Sequence, residues 1–150
     1  MLAGGVSSRM GQEKSDLLFG RQTFLETQIE KGRKLGARQI LISGYRGTHC
    51  GEEIVPDRIP GQGPLGGLES CFRKAETEKC LVLGVDTPLV PLEELHRLLH
   101  YAMEETDKPV TMLCHNGKEE SLMAVYDARL YKEITDFLES GRSSVYRFLN

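Results

Sequence analysis

Hydrophobic residues along this chain fall into short continuous runs and into longer stretches with helical spacing. The clearest continuous run is Cys80–Val85, which is apolar on both faces of a strand, as the buried strands of parallel sheets are. Shorter strands are predicted at Gln39–Ser43 and Glu53–Val55. A helix is predicted over Leu92–Glu105, where apolar positions recur at helical spacing: Leu92, Leu95, Leu98, Leu99, Ala102 and Met103. The pattern therefore indicates strands that alternate with helices.

The ends of the first helix are marked by residues with capping preferences. Thr23 and Glu26 have the spacing of a capping box, so we expect a helix to start at Thr23. A loosely amphipathic helix is then predicted to about Leu35, with Gly36 as its C-cap.

A tight turn is predicted late in the chain, where Asn116-Gly117 is a strong signal for a two-residue hairpin. It would join a strand at Pro109–Cys114 to a return strand at about Leu122–Tyr126, with helices following at Leu130–Leu138 and Ser144–Leu149. Alternation of this kind favours an α/β fold, in which helices cover both faces of a mostly parallel sheet with a late hairpin.

The stretch Pro56–Gly67 carries three prolines and four glycines, a density typical of an irregular loop. Such a loop in a compact domain is often functional. Its end is predicted to run into a helix through about Ala75, with Pro64 in the first turn. The partial positive charge of that helix N-terminus would therefore lie close to the loop.

Composition narrows the class of protein. With 150 residues, 39% hydrophobic and 27% charged, the chain is expected to form one soluble globular domain. The net charge of −3 argues against bulk binding of nucleic acid. No apolar run reaches transmembrane length and no secretory signal is present, so we expect no membrane partner and a cytoplasmic location. The four cysteines, which form no C-x-x-C pair, are expected to be reduced and mostly buried.

The stretch Leu2–Lys14 combines features that suit a di- or triphosphate. Gly4 and Gly5 allow backbone N–H groups to converge on a ligand oxygen. Two serines follow as hydroxyl donors, and Arg9 and Lys14 add positive charge. The spacing is not that of a P-loop, and no G-x-G-x-x-G fingerprint occurs in the chain. The alternative interpretation is a surface turn with solvated charges.

Two acidic residues follow predicted strands. Asp86 stands at the carboxyl end of the Cys80–Val85 run, where it can bind Mg²⁺ or merely cap the strand. Asp57 follows Pro56, where it can form an Asx-turn or contact a ligand. Because ligands of such sheets bind at the carboxyl ends of the strands, these residues and the first loop can meet in one cleft.

Three stretches of the chain share their pattern of residues with a known family. They are L-A-G-G-x-S-x-R-M-G-x-x-K from Leu2 to Lys14, Gly63-Pro64-Leu65-Gly66-Gly67 and Val85-Asp86-Thr87-Pro88. At these positions the chain resembles the MobA-type molybdenum cofactor guanylyltransferases. The resemblance runs to about Leu149 and implies a three-layer α/β/α, Rossmann-like fold of the nucleotide-diphospho-sugar transferase type. It implies Mg²⁺-dependent transfer of GMP from GTP to molybdopterin, giving the guanine dinucleotide cofactor and pyrophosphate. It also implies proteins that deliver the pterin as partners.

The same resemblance implies roles for individual residues. Arg9, Lys14 and Asp86 would be catalytic, with Lys14 on the phosphates and Asp86 on the metal. The residues that would contact the nucleotide are Leu2, Ala3, Gly4, Gly5, Lys14, Asp57 and Asp86.

Two departures from the family's pattern leave alternatives open. The family often carries Asn after the second strand to hold guanine, whereas this chain has Ser43-Gly44-Tyr45. A cytidylyltransferase for the same pterin, a sugar-phosphate nucleotidyltransferase and a non-catalytic nucleotide-binding module remain the rival hypotheses. Met1–Ala3 is also short for an opening strand, and the family continues past the equivalent of Asn150. We therefore expect the single domain, residues 1–150, to lack some residues at both ends.

Overall fold

The computed structural model describes residues 1–4, 14–47 and 50–150. The strands of the described residues are β1 (Leu18–Phe19), β2 (Gln22–Thr23), β3 (Leu41–Ser43), β4 (Glu53–Val55), β5 (Lys79–Leu83), β6 (Val110–His115) and β7 (Lys118–Asp127). The helices are α1 (Phe24–Lys34), α2 (Gly63–Lys74), α3 (Leu92–Glu104), α4 (Tyr131–Glu139) and α5 (Val145–Leu149), and short 3₁₀ turns lie at Lys14–Asp16 and Ala128–Leu130.

The central sheet is joined through the first residues of the chain. Leu2 forms parallel bridges with Ser43 of β3 on one side and with Gly84, just past β5, on the other. Since β3 pairs in parallel with β4, and β7 pairs antiparallel with both β5 and β6, the order is β4-β3-Leu2-β5-β7-β6. Among the described strands of this sheet, only β7 runs against the others. The prediction of a mostly parallel sheet with a late hairpin is confirmed.

Helices cover both faces of the sheet, because successive residues of a strand point to opposite sides. In β3, Leu41 packs with Cys71 of α2, whereas the next residue, Ile42, packs with Leu25 and Ile29 of α1. In β5, Leu81 packs against the α3 cluster and Val82 packs against residues of α2 and α4. The sheet therefore lies between α1 and α3 on one face and α2 and α4 on the other.

Local signals placed the first helix correctly. Thr23 Oγ1 accepts from the Glu26 N–H at 3.1 Å, and the Glu26 carboxylate accepts from the Thr23 N–H at 2.7 Å, which completes the predicted capping box. The C-cap residue is Leu35 rather than Gly36. Gly36 follows it with φ 80°, the left-handed conformation that ends many helices.

The hairpin was predicted at the right place, with its first strand one residue early and its return strand too short. Asn116 and Gly117 form the turn, both with positive φ. The return strand β7 starts at Lys118 and runs to Asp127, beyond both ends of the predicted Leu122–Tyr126. A register irregularity between Met112 and Leu113 allows β6 to pair with both halves of β7. The polar start of β7 concealed its length, because that segment is largely solvent-exposed and lacks apolar residues.

The expectation of mostly buried thiols is wrong. The four cysteines are free, and Cys71 is buried, Cys50 and Cys80 are half-buried, and Cys114 is exposed. Burial raises the pKa of the Cys71 thiol to about 11, which keeps it protonated at neutral pH. Among the described residues, none of the helices combines the length and apolar character needed to cross a bilayer.

A largely apolar cavity lies between α1, α2 and the amino ends of β3 and β5. Residues that line it include Ile40, Leu41, Cys71, Phe72 and Cys80. It opens at the edge of the sheet opposite to Asp86, so its position and its apolar lining exclude it from the phosphate chemistry predicted at the carboxyl edge.

A buried carboxylate ties the loop after β4 to two helices. Glu69 of α2, 1% exposed, accepts hydrogen bonds from Arg58 Nε at 3.0 Å, from Arg73 of the same helix and from Thr135 Oγ1 of α4 at 2.9 Å. Burial raises the pKa of Glu69, but the bonds from Arg73, Thr135 and Arg58 outweigh it and hold the pKa below its usual value. The Arg58 N–H also donates to Ser70 Oγ at 2.9 Å, which fixes the backbone of the loop.

We expect Glu69→Gln to lower the free energy of unfolding by about 1–3 kcal/mol, because charge-assisted bonds to a buried acceptor are lost. The matched control is Glu53→Gln, since Glu53 pairs with Lys74 at an exposed site, where a loss of about 0–1 kcal/mol is expected. Urea unfolding monitored by circular dichroism gives both values.

The folded-state pKa of Glu69 is lowered, so its stabilisation is fully present above the unfolded pKa of about 4.3 and is lost as the pH falls through the lower folded pKa. The difference between the wild type and Glu69→Gln should shrink in that acidic range. Equal losses for the two variants at pH 7 would contradict the role assigned to Glu69.

Candidate functional site

Asp86 lies three residues past the end of β5, on the loop that leaves the sheet at its carboxyl edge. The preceding Gly84 and Val85 are buried, whereas Asp86 is exposed. A Cβ atom on Gly84 would stand 2.9 Å from Asp86 Oδ1, so the glycine leaves the carboxylate room to fold over the strand end. The structure therefore presents Asp86 to solvent at the predicted edge.

Lys14 contacts Asp86 across 72 residues of sequence. Its Nζ atom lies 3.2 Å from Asp86 Oδ2, and the two side chains are 39% and 48% exposed. An ion pair this exposed contributes about 0–1 kcal/mol to stability. The pair thus adds little to the fold, but it sets a cation and an anion side by side at the edge where ligands of such sheets bind.

Asp57 lies two residues past β4 and is fixed by Ser43, the last residue of β3. Ser43 Oγ donates to Asp57 Oδ1 at 2.7 Å, and Ser43 itself is buried. Near the start of α2, a Cβ on Gly67 would come within 2.4 Å of Ser43 Oγ, and one on Gly66 would lie 3.9 Å from Asp57 Oδ2. The close fit of this helix brings its N-terminal turns against the Ser43–Asp57 pair.

The backbone between these two groups is crowded. Gly44 has φ 75°, and a Cβ there would lie 2.6 Å from both Cα and N of Gly4. Only glycine meets both requirements at position 44. The exposed Gly4 is therefore in close backbone contact with the loop after β3, between the loops that carry Asp57 and Asp86.

The structure brings together some of the predicted site residues. Leu2 and Ala3 are buried in the sheet and Gly4 follows them at the carboxyl edge. The predicted residues Gly5 and Arg9 lie outside the described residues. The roles predicted for all of these in nucleotide binding stay predictions.

Sequence reasoning missed two residues of α1. Gln28 and Lys31 donate hydrogen bonds to carbonyl groups of the loop that carries Asp86. Gln28 falls between Leu25 and Ile29 on the buried face of the helix. A polar side chain on that apolar face was a usable signal, but its partners lie more than 50 residues away along the chain.

The donor set fits a magnesium ion that is shared with a phosphate substrate. No group of three or more metal-ligating side chains occurs in the part of the chain that the structure describes. Mg²⁺ is usually held by one or two carboxylates together with substrate phosphates, rather than by a cage of protein ligands. One accessible carboxylate at Asp86, beside the cation of Lys14, meets that requirement.

The fold occurs in solved structures. Molybdopterin-guanine dinucleotide biosynthesis protein A from Archaeoglobus fulgidus matches with a TM-score of 0.78 and 22% identity, over 99% of this chain and 76% of that one. The 2-C-methyl-D-erythritol 4-phosphate cytidylyltransferase from Thermus thermophilus matches with a TM-score of 0.67 and 15% identity, over 95% and 77%. At these identities the likeness shows the fold alone, and the predicted nucleotide-diphospho-sugar transferase type of fold is confirmed.

Sequence comparison goes further than the fold. A probable molybdenum cofactor guanylyltransferase from Carboxydothermus hydrogenoformans is 34% identical over 149 residues, which cover 99% of this chain and 74% of that protein. The family model described as the MobA-like NTP transferase domain matches residues 1–150. The chain therefore belongs to the family of MobA-like NTP transferase domains and is a nucleotidyltransferase.

Proposed function

We propose that this chain transfers GMP from GTP to molybdopterin, giving the guanine dinucleotide form of the molybdenum cofactor and pyrophosphate. The observation that carries the proposal is the pair of Lys14 and Asp86, 3.2 Å apart at the carboxyl edge of the sheet. The choice of substrates follows the Carboxydothermus hydrogenoformans relative, which is named as a probable molybdenum cofactor guanylyltransferase.

The reaction needs no nucleophilic side chain. A phosphate oxygen of the pterin attacks the α-phosphorus of GTP and forms a new phosphoanhydride bond. The bond from that phosphorus to the bridging oxygen of the β-phosphate breaks, and pyrophosphate leaves with the electron pair. The protein has to align two anions and to offset their charge, which is positional and electrostatic catalysis.

The charged residues would divide this task. Lys14 would place a mobile positive charge on the phosphates, and Arg9 would add a guanidinium fork. Asp86 would hold Mg²⁺, which when bound neutralises phosphate charge and favours pyrophosphate as the leaving group. Asp57 and the backbone of residues 2–5 would contact the nucleotide, as the family resemblance implies.

The choice of base depends on Ser43. Its single proton is donated to Asp57 at 2.7 Å, so the hydroxyl retains only acceptor capacity. An acceptor can bind an amino group of guanine or of cytosine. This contact is the observation that keeps a cytidylyltransferase for the same pterin as the second candidate.

Other proteins of cofactor biosynthesis would deliver the molybdopterin acceptor to the site. We assign the enzyme to the cytoplasm, where the free thiols of Cys50, Cys71, Cys80 and Cys114 stay reduced.

GTP with Mg²⁺ should raise the midpoint of thermal unfolding more than CTP, UTP or ATP does. A ligand at about 100 times its Kd stabilises the native state by about 2.7 kcal/mol. In a protein of this size, each 1 kcal/mol raises the midpoint by about 2–4 °C. Differential scanning fluorimetry with the four triphosphates makes the comparison. A larger shift with CTP would replace the guanylyl assignment with the cytidylyl one.

Lys14→Ala should weaken GTP binding by about 1.5–3 kcal/mol, because a charge-assisted contact to phosphate is lost. The change corresponds to roughly a 10- to 150-fold rise in Kd by titration calorimetry. The matched control is Lys34→Ala, since Lys34 pairs with Glu30 on the exposed side of α1, away from the carboxyl edge. Similar GTP affinities for the two variants would make Lys14 an ordinary surface lysine.

Asp86→Asn keeps the size of the side chain and removes its charge. A neutral amide is a poor ligand for Mg²⁺, so the rate of pyrophosphate release should fall by about 10²–10³, the scale of one preorganised electrostatic group. The free energy of unfolding should change by only about 0–1 kcal/mol, because the pair with Lys14 is half exposed. Wild-type turnover of the variant at low Mg²⁺ would exclude the metal role of Asp86.

A further inference from the structure

The loop that carries Asp86, residues 84–90, is held on one side by the side chain of Gln28. Gln28 Nε2 donates to the carbonyl oxygen of Gly84 at 2.7 Å and to that of Thr87 at 3.3 Å. These two carbonyl groups flank Asp86 in the sequence. Thr87 Oγ1 also donates to the Gly84 carbonyl oxygen at 3.0 Å, which closes the turn on itself.

Lys31, one helical turn further along α1, holds the second half of the same loop. Its Nζ atom donates to the carbonyl oxygens of Pro88 and, at 2.7 Å, of Val90. Partial burial lowers the pKa of Lys31 below its ordinary value, since the charged form loses solvation there. Two side chains of one helix thus contact four carbonyl groups of the loop.

Packing alone does not explain a glutamine at position 28. Gln28 is 1% exposed, and within residues 1–4, 14–47 and 50–150 its Oε1 atom has no hydrogen-bond donor. Both loop partners are acceptors, so the amide turns its NH₂ group towards them. A methionine of similar volume would fill the space without a buried unpaired acceptor. The side chain is suited to the two hydrogen bonds that it donates to the loop.

We propose that Gln28 and Lys31 are positioning residues, which fix the loop of residues 84–90 and thereby the direction of the Asp86 carboxylate. The inference rests on the proposed role of Asp86 in holding the metal for nucleotidyl transfer. A carboxylate that is half exposed has few contacts of its own to fix it, so its backbone must be held by neighbours. Residues that orient a metal ligand in this way typically change metal affinity when they are replaced.

The first measurement needs neither nucleotide nor metal. Gln28→Met removes both donated hydrogen bonds and keeps the apolar volume. Hydrogen exchange followed by mass spectrometry should show faster exchange across residues 84–90 than in the wild type, while exchange across β7 is unchanged. Wild-type exchange in residues 84–90 would overturn the proposal, whether or not the protein transfers GMP.

The second measurement asks whether the loosened loop weakens the metal site. GTP is titrated calorimetrically into each protein at a series of Mg²⁺ concentrations, and also in the absence of Mg²⁺. Gln28→Met should need about 10–100 times more Mg²⁺ for half-maximal GTP binding. Its affinity for GTP without Mg²⁺ should match that of the wild type, because Lys14 is untouched. An unchanged Mg²⁺ requirement in a variant with faster exchange would overturn the proposal.

The matched control is Gln39→Met. Gln39 also joins two elements through its amide, accepting from the Glu76 N–H at 3.1 Å, but it lies on the connection into β3 at the opposite edge of the sheet. It should change neither the exchange of residues 84–90 nor the Mg²⁺ requirement. Equal effects from Gln39→Met and Gln28→Met would mean a general loss of stability and would overturn the positioning role.

A second pair of variants guards against a misfolded Gln28→Met. Lys31→Met removes the donors to the Pro88 and Val90 carbonyl groups at a half-buried position, whereas Lys31→Arg keeps a cationic donor. The first should loosen residues 84–90 and raise the Mg²⁺ requirement, and the second should restore both towards wild type. Indistinguishable behaviour of the Met and Arg variants would overturn the proposal. A wild type that binds no GTP, with the exchange results as expected, would refute the proposed function and leave the loop contacts established.

Discussion

The parallel pairing of Leu2 with Ser43 on one side and with Gly84 on the other is the constraint on which the candidate site depends. The Leu2 N–H donates to the Leu83 carbonyl at 3.0 Å, and the Ala3 N–H donates to the Ser43 carbonyl at 2.8 Å. Among the described residues, the segment of Leu2 and Ala3 alone connects β3 and β4 to β5, β6 and β7 within the sheet. Leu2 packs on the α2 face and Ala3 on the α1 face, so a slip of one residue would exchange a large and a small side chain between two filled layers. The register therefore fixes the loops after β3 and β5 at the same edge.

Close backbone packing at that edge determines where the chemistry can lie. Gly67 packs against the side chains of Leu2 and Ser43, and Gly44 packs against Gly4. Both contacts are so close that neither Gly67 nor Gly44 could carry a Cβ atom. The glycines at positions 44 and 67 therefore allow the loop after β3 and the first turns of α2 to pack closely at this edge. Among the described charged groups of the site, Lys14 and Asp86 keep about half of their side-chain surface in solvent, and Asp57 is partly buried. Close backbone packing beside accessible charge suits the phosphate-bearing substrate proposed above.

Those parts of the fold that local rules govern could be predicted from the sequence. The capping box of Thr23 and Glu26, the Asn116-Gly117 turn and the apolar run that ends before Asp86 are all signals within a few residues. The contacts that fix the loops were not predictable, because their partners are far apart in the sequence. Gln28 donates to carbonyl groups 56 and 59 residues away, and Glu69 accepts from Thr135, which is 66 residues away. Each partner is ordinary in its own segment, and only the packing of helices on the sheet brings them together. The same holds for β7, whose polar first half is a strand because β6 pairs with it.

Two buried polar side chains, Glu69 and Gln28, act as anchors for the loops that carry Asp57 and Asp86. Glu69 holds the backbone beside Asp57 through Arg58, and Gln28 holds the backbone around Asp86 through Gly84 and Thr87. The anchors are each 1% exposed, whereas Asp57 is only partly buried and Asp86 is exposed. Burial makes a polar contact strong but holds its members in place, and exposure leaves a carboxylate accessible but poorly fixed. A carboxylate that binds a ligand, as proposed for Asp57 and Asp86, needs both access and direction. The chain meets both needs by assigning direction to buried neighbours on helices that pack on opposite faces of the sheet, so each carboxylate can face solvent without losing its position.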